Sequence, residues 1–150
     1  MAVDRHSGKG KAMAAMNRGF GALQRSLYRA SNGRIMGKTA GLPVLLLTVT
    51  GRRTGQRRTV PLVYWERDGS YVVSASAAGM WLPMWYRNLE ADPRVEVQVG
   101  ARRFRSTAHL ADEQESLELW RVTESLNKRF AGYRESLDHD IPMVVLTPDP

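Results

Sequence analysis

The stretch that decides the fold is Val44-Leu-Leu-Leu-Thr-Val-Thr50, followed by Gly51-Arg-Arg-Thr-Gly-Gln-Arg-Arg-Thr59 and then Val60-Pro-Leu-Val-Tyr-Trp65. The first run is almost continuously apolar, which is typical of a strand covered on both faces. The third run is short and rich in β-branched and aromatic residues, and it predicts a second strand. We therefore expect two strands joined by residues 51–59, called the arginine loop below.

The arginine loop holds four arginines within seven positions, together with two glycines. A guanidinium presents a planar fork of donors that fits phosphate and carboxylate oxygens two at a time. Glycines let main-chain N–H groups turn toward a ligand and form an anion-binding concavity. The pattern indicates an anion site, and it equally fits a solvated basic turn. Composition does not choose between these readings.

The rest of the chain continues the β pattern. Asp68-Gly69 is a strong hairpin signal, and Asp92-Pro93 ends a short helix that Met80 opens. The six expected strands are residues 44–50, 60–66, 71–76, 94–99, 103–110 and 142–147. Helices are expected over 11–30, before Asp92, and over 112–130. Short turns between strands favour a small antiparallel barrel with flanking helices, an α+β protein whose ligand must lie outside the filled barrel or at a seam.

The length of 150 residues suits one ordinary domain. We expect an arm and a basic amphipathic helix over 1–42 and the barrel over 43–150. In the helix, Met13, Met16, Phe20, Leu23 and Leu27 follow helical spacing. This stripe fits packing on the core, and it also fits a lid or a helix lying on a membrane surface.

Charge and composition exclude some classes of site. The net charge of +7 arises within residues 1–110, because residues 111–150 are net acidic. Such a field attracts nucleic acid, anionic lipid or an acidic small molecule, without choosing among them. The chain has no cysteine, so disulfides and thiolate metal sites are excluded. His139, in Asp138-His-Asp140, fits a polar surface better than a metal site. No membrane-spanning run or signal core occurs, so a cytoplasmic location is expected.

Five motifs occur in a characteristic order. They are Leu-Leu-Thr-Val-Thr-Gly-Arg-Arg-Thr-Gly-Gln-Arg-Arg (46–58), Val-Pro-Leu (60–62), Pro-Met-Trp-Tyr-Arg-Asn-Leu (83–89), Asp-Pro-Arg-Val (92–95) and Asp-Ile-Pro-Met-Val-Val-Leu (140–146). With these motifs the chain resembles the deazaflavin-dependent nitroreductase family over roughly residues 43–148. That family is similar to FMN-binding split β-barrels, which agrees with the architecture predicted from the strand pattern.

The resemblance implies binding of coenzyme F420, a deazaflavin with a phosphate and an oligoglutamate tail. It also implies hydride transfer from the reduced cofactor to a conjugated acceptor such as an enone, a quinone or a nitroaromatic compound. The cofactor residues it implies are Arg52, Arg53, Thr54, Gly55, Gln56 and Arg58 near the phosphate and tail, Val60, Pro61 and Leu62 along the deazaflavin, and Ala75, Ser76 and Ala77 beside ring and phosphate.

On the substrate side, the resemblance implies that Trp85 walls the pocket and that Tyr133, beside Phe130, hydrogen-bonds the acceptor. Trp85 also fits a core aromatic, and Tyr133 also fits a helix-packing residue. Two positions depart from the family pattern. Ala77 stands where a lysine is frequent, which removes one phosphate partner, and Phe130 lacks the hydroxyl of a family tyrosine.

Alternative functions remain open at this level. They are an FMN-dependent oxidoreductase on the same barrel and a non-enzymatic carrier of a cofactor or lipid. Nucleic-acid binding is not expected, because aromatic residues are not interleaved with the arginine loop. Expected partners are a small conjugated substrate, a second copy of the chain in a homodimer, and a membrane surface touched through residues 11–30. No metal is expected.

Overall fold

The computed structural model describes residues 22–39, 41–75, 82–126 and 141–150. Helix α1 covers residues 22–31 of the described chain, α2 is Met84–Ala91 and α3 is Glu113–Leu126. The strands are β1 Lys38–Thr39, β2 Leu42–Thr50, β3 Arg57–Val63, β4 Trp65–Arg67, β5 Ser70–Ser74, β6 Arg94–Val99, β7 Arg102–Leu110 and β8 Met143–Pro148. The described chain is therefore mainly β with flanking helices, as predicted.

All strands belong to one antiparallel sheet. Its order is β1-β2-β6-β7-β8-β5-β4, and β3 adds to β2 off this path. Buried side chains of β2, β5, β6, β7 and β8 share a single core cluster. A sheet whose distant strands meet in one core must curl around it, so the predicted small barrel-like architecture is confirmed.

Strand β2 is the central element of the fold and is buried on both faces, as its apolar run predicted. Leu45, Leu47 and Val49 enter the main core, and each has no exposed surface. Val44 and Leu46 point to the opposite face, where they pack against α1 in a smaller cluster. Alternation along a strand produces this division, because successive side chains point to opposite faces.

The predicted strand over 60–66 is wrong in its bounds. Strand β3 begins at Arg57, which pairs with Thr50, and so the last three residues of the arginine loop belong to a strand. The chain then changes partner at Tyr64, whose N–H still donates to the Pro43 carbonyl at 3.1 Å. Trp65 already pairs with Val72 of β5. An apolar pattern reports which face a residue occupies and not which strand it pairs with, so this split and the two-residue β1 were missed.

The two later helices lie close to their predicted positions. Helix α2 ends at Ala91, before Asp92 and Pro93 as expected, although it begins at Met84 rather than at Met80. Asp112 caps α3, since its Oδ1 accepts a hydrogen bond from the Glu115 N–H at 2.8 Å. The carboxylate satisfies one of the free N–H groups of the first turn. The expected continuation of α3 through residues 127–130 lies outside the described residues.

Tyr28, which does not belong to the predicted stripe, attaches helix α1 to the sheet, whereas Met13, Met16 and Phe20 of that stripe lie outside the described residues. Leu23, expected on that stripe, is 56% exposed, whereas Tyr28 is 1% exposed. The Gly100 N–H donates to the Tyr28 hydroxyl at 2.8 Å, and this hydroxyl donates to the Gln98 carbonyl at 3.3 Å. Tyr28 therefore fixes α1 to the β6–β7 hairpin.

Other predictions for the N-terminal region stay predictions. Residues 11–21 of the expected amphipathic helix lie outside the described residues, and nothing tests the boundary between 42 and 43. In the described ranges, no helix has the length and apolar character needed to cross a membrane.

Replacing Tyr28 with phenylalanine should lower the free energy of unfolding by about 1–3 kcal/mol, because the half-buried Gly100 N–H loses its acceptor. Urea denaturation followed by circular dichroism measures this change. Tyr64→Phe is the matched control, since the Tyr64 hydroxyl makes no hydrogen bond within the described residues and its ring is also buried. Equal stability losses in the two variants would contradict the role assigned to Tyr28.

Candidate functional site

The arginine loop is a closed turn with a defined backbone. The Gly51 N–H donates to the Gln56 carbonyl at 2.7 Å, and the Gly55 N–H donates to the Gly51 carbonyl at 2.8 Å. Gly55 has a φ of +71°, a conformation that favours glycine. Thr54 Oγ1 accepts from the Gln56 N–H at 3.3 Å. Within the described residues, no acceptor meets the N–H groups of Arg53 and Thr54, so the turn presents two main-chain donors outward.

The four arginines of this loop are not equivalent. Arg52 is bonded to Asn88 of α2 by its main-chain N–H at 3.1 Å and by Nη1 at 3.0 Å. Arg57 Nη1 donates to Thr50 Oγ1 at 3.0 Å. Arg53 and Arg58 are exposed and have neither a hydrogen-bond acceptor nor an ion-pair partner among the described side chains. Among the residues that the structure describes, these two guanidinium groups are therefore the loop cations without a partner.

Strand β3 divides its side chains between two faces. Arg58 pairs with Val49, Val60 pairs with Leu47, and Leu62 pairs with Leu45. Since Val49, Leu47 and Leu45 face the main core, Arg58, Val60 and Leu62 lie on that face of β3. Val60 and Leu62 are half-buried against that core. On this face of β3, the guanidinium of Arg58 is therefore followed by the apolar side chains of Val60 and Leu62. Such a face suits a ligand with an anionic end and an apolar ring.

Pro61 lies on the opposite face of β3, with Thr59 and Val63. Thr59 Oγ1 contacts Thr48 Oγ1 at 2.8 Å and accepts from Arg29 Nη2 at 2.9 Å, so this face is turned toward α1. Pro61 therefore cannot present its ring to a ligand that lies on Val60 and Leu62. It can reach such a ligand only through its main chain, which narrows the role predicted for it.

The outer edge of β3 is open within the described residues, because β2 is its only strand partner there. Hydrogen-bonded pairs alternate with non-bonded pairs in an antiparallel ladder. The hydrogen bonds between Gly51 and Gln56 and between Tyr64 and Pro43 define the alternation. Counted from Gln56 to Tyr64, every second residue is hydrogen-bonded to β2. It follows that the main-chain groups of Arg57, Thr59 and Val63 and the carbonyl of Pro61 point away from β2, toward the open edge.

Ala75 and Trp85 were both predicted to contact the cofactor or substrate, and both lie in the core. Ala75 has no exposed surface, and its N–H donates to the Pro142 carbonyl at 2.8 Å. Trp85 is 6% exposed and meets Tyr86 edge-on, with ring centroids 6.4 Å apart. Only a small edge of Trp85 is available to a ligand, and Ala75 supports the end of β5 from inside.

A cavity of about 250 Å³ lies between α2, α3 and the start of β8. It is lined by Tyr86, Ala111, Glu113, Ser116, Leu117, Trp120, Ile141 and Pro142. Most of its wall is apolar, and its polar residues include Tyr86, Glu113 and Ser116. In the sequence, Tyr86 stands out only as part of the motif at residues 83–89. The lining residues are far apart in sequence, and no local pattern could have brought them together.

Tyr86 is a hydrogen-bond donor at neutral pH. Burial raises its pKa above the ordinary 10.0, the negative charge of Glu90 raises it further, and the positive charge of Arg87 opposes both. The hydroxyl therefore keeps its proton at neutral and moderately alkaline pH. Through the bond between Ala75 and Pro142, the wall of the cavity is also connected to the end of β5.

Four of the predicted site residues lie outside the described residues, namely Ser76, Ala77, Phe130 and Tyr133. The same holds for His139 and its neighbours. Their assignments stay predictions from the resemblance. The described part of the site comprises the arginine loop, the Arg58 face of β3 and the cavity beside Tyr86.

Comparison with known proteins gives a consistent result. A sequence model of the family described as F420H(2)-dependent quinone reductase matches residues 22–148. The chain is 40% identical over 131 residues to the F420H(2)-dependent quinone reductase Rv1261c of Mycobacterium tuberculosis, covering 83% of this chain and 87% of that protein.

Solved structures agree on the fold. An F420-H2 dependent reductase, FDR-A, matches with a TM-score of 0.63 and 33% identity over 69% of this chain and 93% of that one. A chain described as a domain-swapped dimer matches with a TM-score of 0.66 and 27% identity over 93% of this chain and 99% of that one. The predicted split β-barrel is thereby confirmed, and the chain belongs to the F420H(2)-dependent quinone reductase family.

Proposed function

We propose that this protein uses reduced coenzyme F420 to reduce a quinone. The observation that carries the proposal is the presence of two exposed guanidinium groups, Arg53 and Arg58, without partners among the described side chains, at the head of an open-edged strand. Membership of the quinone reductase family supports the assignment. Of the acceptors predicted from sequence, which are an enone, a quinone and a nitroaromatic compound, family membership supports the quinone.

The described residues fit the chemistry of F420. Arg53 and Arg58 hold the phosphate and the acidic tail by charge-assisted hydrogen bonds, and the N–H groups of Arg53 and Thr54 add main-chain donors. Val60 and Leu62 supply an apolar face for the ring, and the Pro61 carbonyl lies at the strand edge. Thr54, Gly55 and Gln56 keep the turn in shape. Ala75, Ser76 and Ala77 complete the cofactor site in this proposal, with Ala75 acting from within the core.

When bound, the cofactor supplies the hydride, so the protein needs to contribute orientation, electrostatics and exclusion of water. We place the quinone in the cavity beside Tyr86, where Leu117, Trp120 and Ile141 provide apolar walls. The Tyr86 hydroxyl donates to a quinone oxygen and stabilises the negative charge that develops there as the ring is reduced. Trp85, next to Tyr86 on α2, is proposed to support this cavity from the core, and Tyr133 and Phe130 are proposed to close it.

The sequence also predicted an assembly and a location. A homodimer stays a proposal, and the neighbour described as a domain-swapped dimer supports it. Peripheral membrane contact through residues 11–30 and a cytoplasmic location stay predictions.

Titration of the purified protein with oxidised F420, followed by F420 fluorescence, is the direct test. The second step is to mix F420H2 and a soluble naphthoquinone with the protein and to record the return of deazaflavin absorbance. Saturable binding with turnover supports the proposal. Flavin absorbance in the protein as purified favours an FMN enzyme. An organic-extractable passenger without turnover favours a carrier, and salt-dependent DNA retention without F420 affinity favours nucleic-acid binding.

Replacing Tyr86 with phenylalanine should lower kcat with a naphthoquinone by about tenfold, because one hydrogen bond to the developing charge is lost. The affinity for oxidised F420 should change by less than about twofold, since the hydroxyl lies on the substrate side. Tyr64→Phe is the control for removing a hydroxyl elsewhere in the barrel. An unchanged kcat in Tyr86→Phe would show that the quinone does not occupy this cavity.

A further inference from the structure

Asn88 occupies an unusual position for an amide. It lies in α2 on the buried face, next to Leu89, and is 7% exposed. Its Oδ1 accepts two hydrogen bonds from Arg52, one from the main-chain N–H and one from the guanidinium. Burial of an amide is unfavourable unless its polar atoms are bonded, so this pairing accounts for its presence in an otherwise apolar face.

The same residue also ends the helix. The Asp92 N–H donates to the Asn88 carbonyl at 2.9 Å. Its main chain thus closes the last turn of α2, while its side chain reaches a loop 36 residues earlier in the chain. One residue connects the arginine loop to the helix that carries Tyr86, two positions away.

Two attachments therefore hold the arginine loop. The bond between Gly51 and Gln56 closes its neck, and the two bonds from Arg52 to Asn88 fix one side of it. Arg53 follows Arg52 directly, so its N–H and its guanidinium, which has no partner among the described side chains, belong to a backbone segment that these bonds hold. A loop fixed in its binding conformation loses less conformational entropy when it binds an anion.

We propose that Asn88 is a positioning residue for the cofactor: by holding Arg52, it sets the geometry in which Arg53 and Thr54 meet the phosphate and acidic tail of F420. The identity of the ligand rests on the proposed function. Arg52, predicted from sequence as a ligand of the tail, acts here mainly through its bonds to Asn88.

The test uses the pair Asn88→Leu and Asn88→Asp in the full chain. Leucine keeps the volume and removes the acceptor, whereas aspartate keeps an acceptor oxygen. We expect Asn88→Leu to weaken binding of oxidised F420 by about tenfold, and Asn88→Asp to stay within about threefold of the unchanged protein. In turnover, the KM for F420H2 should rise in Asn88→Leu, while kcat and the KM for the quinone stay within about twofold.

A ligand-free measurement separates this inference from the proposed function. Hydrogen exchange at the Arg52 amide should be slow in the unchanged protein and in Asn88→Asp, and fast in Asn88→Leu, while the Leu47 amide stays protected in all three. Arg87→Ala is the control on the same helix, because among the described residues its side chain forms an exposed ion pair with Glu90 and makes no hydrogen bond with Arg52. It should leave F420 affinity and Arg52 exchange unchanged.

The outcomes are distinct. An unchanged protein that does not bind F420 overturns the proposed function and the role of Asn88 with it. F420 binding that is equally tight in Asn88→Leu overturns the role of Asn88 alone. A parallel rise of both KM values with a lower Tm shows a merely structural effect and also overturns it. Fast hydrogen exchange at the Arg52 amide in the unchanged protein also overturns the role of Asn88.

Discussion

Replacing Arg53 and Arg58 together with alanine is expected to weaken the binding of oxidised F420 by about 100-fold. Each guanidinium is exposed and without a partner among the described side chains, so each is free to bond an anionic oxygen. A charge-assisted hydrogen bond contributes about 1.5–3 kcal/mol. Screening by water lowers this contribution for exposed groups, and we therefore expect the loss of each side chain to raise the Kd by about tenfold.

The measurement is a fluorescence titration at several salt concentrations. Affinity in the unchanged protein should fall as salt rises, and the double variant should show a shallower dependence because two of the charges are gone. At saturating F420H2, kcat should change little, since neither side chain lies beside the cavity. The single variants should each account for roughly half of the loss in free energy if their contacts are independent.

The matched control is Arg103→Ala with Arg105→Ala. Both residues are exposed on β7, which β6 and β2 separate from β3. This control removes the same net charge, so it measures the effect of the overall field. If it weakens binding as much as the double variant of the arginine loop does, then general electrostatic attraction holds the cofactor and the specific site is wrong.

Some features of the fold follow from local sequence. The apolar run from Val44 predicted a strand buried on both faces, and β2 is buried on both faces. Asp68-Gly69 predicted a hairpin, and the two residues have φ values of +50° and +80°, as a tight hairpin turn requires. These features depend on residues close in sequence, for which pattern and turn chemistry are sufficient.

Other features depend on distant residues, and sequence could not supply them. The change of partner at Tyr64 depends on where β5 lies, and nothing within residues 60–66 reports this. The composition of the arginine loop does not distinguish its four arginines, and the resemblance implied Arg52, Arg53 and Arg58 as ligands. In the structure, Asn88 engages Arg52 and Thr50 engages Arg57. The partner of Arg52 lies 36 residues away in sequence, so no local pattern separates Arg52 from Arg53 and Arg58. The motif at residues 83–89 contains Asn88, but nothing in that motif indicates that Arg52 is its partner.

The cavity was missed for the same reason. Tyr86 belongs to a helical pattern, while Ile141 belongs to the approach to the last strand, and their meeting is a consequence of the sheet closing. Trp85 is 6% exposed in the core, and Tyr86, one helix position away, lines the cavity, so the pocket-wall role of Trp85 stays a prediction. Adjacent residues on a helix point about 100° apart, so a residue buried in the core can be followed directly by one that lines the cavity.

Replacing Leu47 with alanine should lower the free energy of unfolding by about 2–5 kcal/mol, a large fraction of the stability of an ordinary domain. Leu47 has no exposed surface and pairs with Val60 on one side and Val97 on the other. Removing three carbon atoms there leaves a cavity at the centre of β3, β2 and β6. Chemical denaturation should show a lower midpoint with an unchanged m-value.

Leu126→Ala is the control, because this leucine is 44% exposed on α3 and should cost less than about 1 kcal/mol. Strand β3 is held by β2 alone among the described strands, so the variant also tests the link between core and site. F420 at about 100 times its Kd should restore about 2.7 kcal/mol to Leu47→Ala, since the ligand binds only the folded chain. A loss no larger than that of Leu126→Ala would mean that β2 is not the strand on which the cofactor face depends.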